Sequence, residues 1–117
     1  MKALAKILTA LVALQHVFFL VVEMFLWEHE VGRMMFDITA EFAASTAFMA
    51  QNQGLYNGFL AAGLIWSLVA AKRDVRIFFL LCVIVAGVFA SLTVSPSIIV
   101  VQALPALLAL VFTLLKR

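Results

Sequence analysis

The chain has 117 residues, 67% of them hydrophobic and only 12% charged, with a formal net charge of +2. A mean hydropathy of +1.20 excludes an ordinary soluble domain, in which roughly a quarter of the residues are charged. Cys82 is the single cysteine, which excludes an internal disulfide and a Cys-x-x-Cys redox pair.

Four apolar stretches approach or exceed the ~18 residues expected of a membrane-crossing helix. The first, Ile7–Trp27, follows Lys2 and Lys6 and carries Gln15, His16 and Glu23 before ending at Trp27. Trp27 is suited to the membrane interface. A signal peptide has a shorter apolar core and a small-residue cleavage site. This run instead continues into "MFLWEHE", so an uncleaved first helix is expected.

The long loop 28–50 follows. Thr39 reads as an N-cap, and Glu41 falls in the first turn, where the helix dipole favours an anion. Phe42 and Met49 share one helical face. These residues predict a short amphipathic helix, lying at the outer surface or running directly into the second span. That span, Gln51–Ala71, opens with "QNQGLYNG".

Lys72–Asp74 form an inner turn before the third span, Ile77–Val94, whose Ala86, Gly87 and Ala90 permit close helix contact. Ser95-Pro96-Ser97 form an outer turn. The fourth span, Ile98–Leu115, contains Gln102 and Pro105. The proline denies the Val101 carbonyl its usual partner and favours a kink. The expected architecture is a single all-α domain over residues 1–117, a four-helix integral membrane bundle.

Lys2, Lys6, Lys72, Arg73, Arg76, Lys116 and Arg117 fall at the three places that four spans put on one side, and Arg33 alone falls on the other. This is the positive-inside pattern, with both termini cytoplasmic. The expected location is the cell membrane, crossed four times. The lipid bilayer is the expected environment, and no nucleic-acid partner is expected.

An ionisable group within a span is expensive and by default marks a site. His16 and Glu23 are two helical turns apart and share a face. At 1.5 Å per residue, Glu23 lies about 6 Å below Trp27, Gln102 about 6 Å below Ile98 and Asn57 about 9 Å below Gln51, with His16 roughly 16 Å in. Three spans thus place polar groups at similar depth. Lipid cannot satisfy them, so they should meet inside. Glu23, His16, Asn52, Gln53, Tyr56, Asn57 and Gln102 form the expected outward-facing pocket. The alternative is that the amides simply bond helices together.

Gly54 and Gly58 form Gly-x-x-x-Gly, extended by Gly63, a small surface that seats a partner helix and is also a candidate homo-oligomer face. Glu28, His29 and Glu30 lack the further ligands a metal site needs. No metal or cofactor is expected.

At "NQGLYNGFLAAGLIW" the sequence resembles the small bacterial membrane proteins catalogued as domain of unknown function 1304. The resemblance covers the whole chain and includes "ALQHVFFLVVEMFLW" and "FDITAEF". Where family members tend to carry a small residue, this chain has Gln51. The family is similar to DoxX-like four-helix membrane proteins, which implies a four-helix fold and no particular activity.

Three functions fit these residues. The first is binding or transport of a small, partly apolar molecule or cation, with Glu23 supplying charge. The second is a membrane enzyme using Glu23 and His16 as acid and base on a lipid-like substrate. The two lie about 10 Å apart along the helix axis and so cannot share one proton directly. The third is a structural or accessory subunit of a membrane complex.

Overall fold

The computed structural model describes residues 2–115. Among them are five α-helices and one π-helical stretch, with no strand. These are α1 (Lys2–Phe25), α2 (Glu30–Phe36), α3 (Ala40–Val69), α4 (Arg73–Thr93), the π stretch Ile99–Ala103 and α5 (Leu104–Leu115).

Helix boundaries follow local chemistry. His29 caps α2: its backbone is extended and its Nδ1 accepts from Val31 N at 3.1 Å. Glu30 and Arg33 occupy the first and last turns of α2, each on the side the macrodipole favours. Asp37 closes the helix in the left-handed region at φ 52°, and Ile38 N donates to Arg33 O at 3.0 Å. Such a closure satisfies the last free carbonyls of a helix.

Thr39 caps α3, with Phe42 N donating to its Oγ1 at 3.1 Å. The segment expected as an amphipathic helix is therefore the opening of α3, the continuous alternative. The separate short helix in the loop is α2, further upstream. No break intervenes between Ala40 and Val69, because the segment holds no proline and its glycines lie in mid-helix, where they are tolerated.

The chain forms two compact units. One holds residues up to Leu14 together with those from Leu60 onward, and the other is Gln15–Phe59. The core of the first joins Val12, Ala13, Leu64, Leu80, Val83, Ala106, Ala109 and Leu110. Its close approaches are made by small residues. A Cβ at Gly87 would lie 3.2 Å from both the Cβ and the N of Ala103, and one at Gly63 would strike the ring of Phe79.

The π stretch precedes Pro105. The extra residue in that turn adjusts the helix where a proline cannot donate. Arg73 closes the far end of α5, donating from Nε to Thr113 O at 3.3 Å and from Nη2 to Leu114 O at 3.4 Å.

Many large apolar side chains are exposed, while alanines share the core with a few leucines and valines. Ile7 and Leu11 are each 56% exposed, Phe89 66% and Leu92 80%, whereas Ala5, Ala106 and Ala109 are at or below 1%. α1 and α4 are long and apolar enough to cross a membrane, and Ile99–Leu115 is a shorter apolar helix. The amides at 51–57 set α3 apart from these.

α1 ends at Phe25, so Trp27 lies beyond the helix rather than on the His16–Glu23 face. Its indole Nε1 donates to Thr46 Oγ1 at 3.0 Å, and its ring packs against Phe36 at 5.0 Å.

Candidate functional site

The second unit brings the end of α1 against the first half of α3. Burial along α1 recurs at Ala5, Thr9, Val12 and His16, all at or below 1% exposure. That is a 3.5-residue seam, and it carries on to Glu23, which is half-buried. On α3 the corresponding seam runs through Ala50, Gly54 and Asn57.

Gly54 makes the approach possible. A Cβ there would lie 2.6 Å from Met24 Cγ, 3.1 Å from Glu23 Cβ and 3.2 Å from Leu20 O. At Gly58 a Cβ would lie 2.6 Å from Leu20 Cδ1. The glycine pair thus seats α1 of the same chain. Asn57, between the two glycines, is 7% exposed and donates from Nδ2 to Glu23 Oε1 at 2.6 Å. A contact spanning 34 positions in sequence pairs a carboxyl group with an amide, a short bond of the kind made when the acceptor is charged or strongly polarised.

Beside this pair is a cavity of about 180 Å³ lined by Glu23, Met24, Phe25, Trp27, Glu28, His29, Ala47 and Gln51. The fold-back after α1 builds one wall, where His29 N donates to Leu26 O at 3.1 Å. Gly32 lets α2 approach that turn, since a Cβ there would collide with the carbonyl oxygen of Leu26. Thr46, which accepts from the Trp27 indole, donates its own hydroxyl to Phe42 O at 2.7 Å, so its lone pair is left free to face the indole.

The other residues expected in the pocket stand differently. His16 is fully buried, edge-on to Phe19 with ring centroids 5.4 Å apart. Asn52 is exposed and its Nδ2 donates to Phe48 O of its own helix at 2.9 Å. Gln53 is exposed. Tyr56 is 56% exposed and packs beside Phe59. Gln102 belongs to the first unit, where its Nε2 donates to Val83 O at 3.1 Å.

Gln53 and Asn57 are four residues apart on α3, a spacing that puts them on one side of a helix. Burial separates them because the contact seam is centred on Gly54 and Asn57, and residue 53 falls just outside it. Glu28, His29 and Gln51 line the cavity, a role the sequence reading did not give them. The signal lay in the capping pattern at His29–Glu30 and in Gly32, which together bend the chain back over the end of α1. No group of three or more His, Cys, Asp or Glu side chains suited to a metal ion stands among the described residues.

These features define an all-α chain with outward-facing apolar helices and a carboxyl–amide pair between two of them. The chain belongs to the protein family of unknown function DUF1304, whose model matches residues 10–114. It is similar to the uncharacterized protein YpaA of Lactococcus lactis subsp. lactis (strain IL1403), at 30% identity over 115 residues, covering 95% of this chain and 97% of the relative. No solved structure matches it.

Proposed function

We propose that the protein is a multi-pass membrane protein that binds a small, partly apolar cation at the Glu23 cavity. The observation that carries this reading is the chemistry of the lining: the carboxylates Glu23 and Glu28 beside Met24, Phe25 and Trp27. Acidic groups attract an ammonium head, and an indole face adds cation–π attraction. A volume of about 180 Å³ suits a small amine, since drug-sized ligands occupy cavities of roughly 300 Å³ or more.

The membrane reading is supported by the large exposed apolar side chains over an alanine-rich interior, an arrangement that water would penalise and lipid would not. In it the chain makes four spans as a single domain, with both termini cytoplasmic and a DoxX-like four-helix arrangement. At 30 residues, α3 is about 45 Å long and exceeds the ~30 Å hydrocarbon core. Its first turns, 40–50, then stand at the outer surface, and the cavity opens there. His16, Asn52, Gln53, Tyr56 and Gln102 are not part of the cavity lining in this reading. A homo-oligomer through the Gly54/Gly58 face has to compete with α1 for the same surface.

Binding is tested on purified protein in nanodiscs, titrated with small aliphatic and aromatic ammonium ions while Trp27 fluorescence is followed in a Trp66→Phe background. Saturable quenching is expected, weakened about tenfold or more by Glu23→Gln, since one decade corresponds to ~1.4 kcal/mol. No saturable response, or an affinity in Glu23→Gln equal to wild type, refutes the reading. Topology is tested with single cysteines at Ser97 and Lys72 after Cys82→Ala. An impermeant maleimide should label the first from outside and the second only after permeabilisation.

A further inference from the structure

The first unit contains a second cavity, of about 270 Å³, lined by Lys2, Ala5, Lys6, Ala71, Arg73, Arg76 and Thr113. Four of these seven residues are cations and none is a carboxylate. They come from separate elements: Lys2 and Lys6 from the first turns of α1, Arg73 and Arg76 from the first turn of α4, and Thr113 from the last turn of α5.

Each cation is differently committed. Arg73 spends Nε and Nη2 on the carbonyls that end α5. Lys2 and Lys6 are exposed. Arg76 is only 8% exposed, and among the described residues its Nε has no hydrogen-bond partner. The neighbouring acid, Asp74, is exposed, and its Oδ1 accepts from Val75 N at 2.9 Å. The hydroxyl of Thr113 donates to Ala109 O of its own helix at 2.8 Å.

An arginine residue more than nine-tenths buried, with its Nε donor unspent, is costly unless an acceptor completes it. Its planar fork matches the oxygens of a phosphate. Three more positive charges around the same cavity raise the local concentration of anions.

We infer that this cavity is a binding site for a phosphate group, held by the Arg76 fork with Lys2, Lys6 and Arg73 supplying charge. Two sources carry that chemistry: the headgroup of an anionic phospholipid and a small soluble phosphate. Basic pockets between membrane helices on the cytoplasmic side favour the first. The lipid source rests on the membrane reading above, whereas the soluble source does not. The site is independent of the Glu23 cavity.

The experiment measures thermal stability and native mass spectra of the full chain in detergent. The probes are dioleoylphosphatidylglycerol, dioleoylphosphatidylcholine, sn-glycerol 3-phosphate and inorganic phosphate. The expected result is a retained phosphatidylglycerol adduct and a raised Tm, with little response to phosphatidylcholine. Arg76→Gln should lower the affinity at least tenfold and Arg76→Lys by less, because the lysine keeps charge and loses the fork.

If Arg76→Gln does not fold, the exposed double variant Lys2→Gln/Lys6→Gln carries the test, with an expected fall of about three- to tenfold that grows at low salt. Binding of the two soluble phosphates with the same dependence on these residues supports the soluble source. Binding of none of the probes, equal binding of both lipids, or wild-type affinity in these variants overturns the proposal.

Discussion

Replacing Asn57 by Leu, Glu23 by Met, and then both together isolates the side-chain bond that ties α1 to α3 within the second unit. The Asn57→Leu change conserves volume closely enough that its main effect is to withdraw the amide from Glu23 Oε1, now 2.6 Å away. Leaving a buried polar partner unsatisfied costs about 1–3 kcal/mol. The double variant removes both polar groups and leaves apolar contact, so it should be more stable than the sum of the singles predicts. In membrane proteins such pairs have coupling energies averaging about 0.6 kcal/mol and reaching about 1.7. The short distance and the 7% exposure of Asn57 place the expected coupling in the upper half of that range. Reversible unfolding in mixed micelles, followed by tryptophan fluorescence, gives the four stabilities. A coupling within about 0.3 kcal/mol of zero is additive behaviour and would refute the contact. Glu23→Gln then separates bond from charge, because its amide oxygen can still accept from Asn57. A loss near that of Glu23→Met assigns the stabilisation to the carboxyl group itself.

Further outcomes follow from single positions. Gly32→Ala places a methyl on the carbonyl of Leu26, an overpacking worth about 1–3 kcal/mol, and hydrogen exchange across residues 26–38 should accelerate. Protection equal to wild type would show that α2 does not dock there. Thr46→Val removes the acceptor of the Trp27 indole, costing about 1 kcal/mol and changing Trp27 emission when Trp66 is replaced by Phe; an unchanged spectrum counts against the bond. Ala71 sits at φ 53°, a conformation that costs an L-residue roughly 1–2 kcal/mol. Ala71→Gly should therefore raise Tm, and a lowered Tm would place the residue in another backbone region.

Much of the helical pattern is legible in the sequence because apolar side chains exclude water and leave the polar backbone to bond to itself. The apolar runs around α1, α4 and residues 99–115 are too long for single strands and read as helices by length. Thr39 announced the start of α3 through its hydroxyl, and Ser95-Pro96-Ser97 announced a turn. Trp27 was misleading: apolarity continues through it, but the helix does not. The turn at 26–29 depends on α2 folding back, and that in turn depends on the absence of a side chain at Gly32. The amide cluster was legible as polar groups entering an apolar helix, yet its members were not ranked. Gln53 and Asn57 differ by one turn and look equivalent by spacing. The seam through Ala50, Gly54 and Asn57 buries one and leaves the other outside.

By itself the sequence determined composition, helical periodicity and charge asymmetry, since these depend only on residue type and spacing. It also marked Glu23 and Asn57 as polar residues within apolar segments. Only the tertiary structure decided that the two bond to each other, that Glu28, His29 and Gln51 join Glu23 around a cavity, and that Lys2, Lys6, Arg73 and Arg76 gather around another. Those outcomes depend on which helix faces meet and how closely. Closeness is set by side-chain volume at a few contact points, here the missing Cβ atoms of Gly32 and Gly54, which a linear pattern records as residues but not as distances.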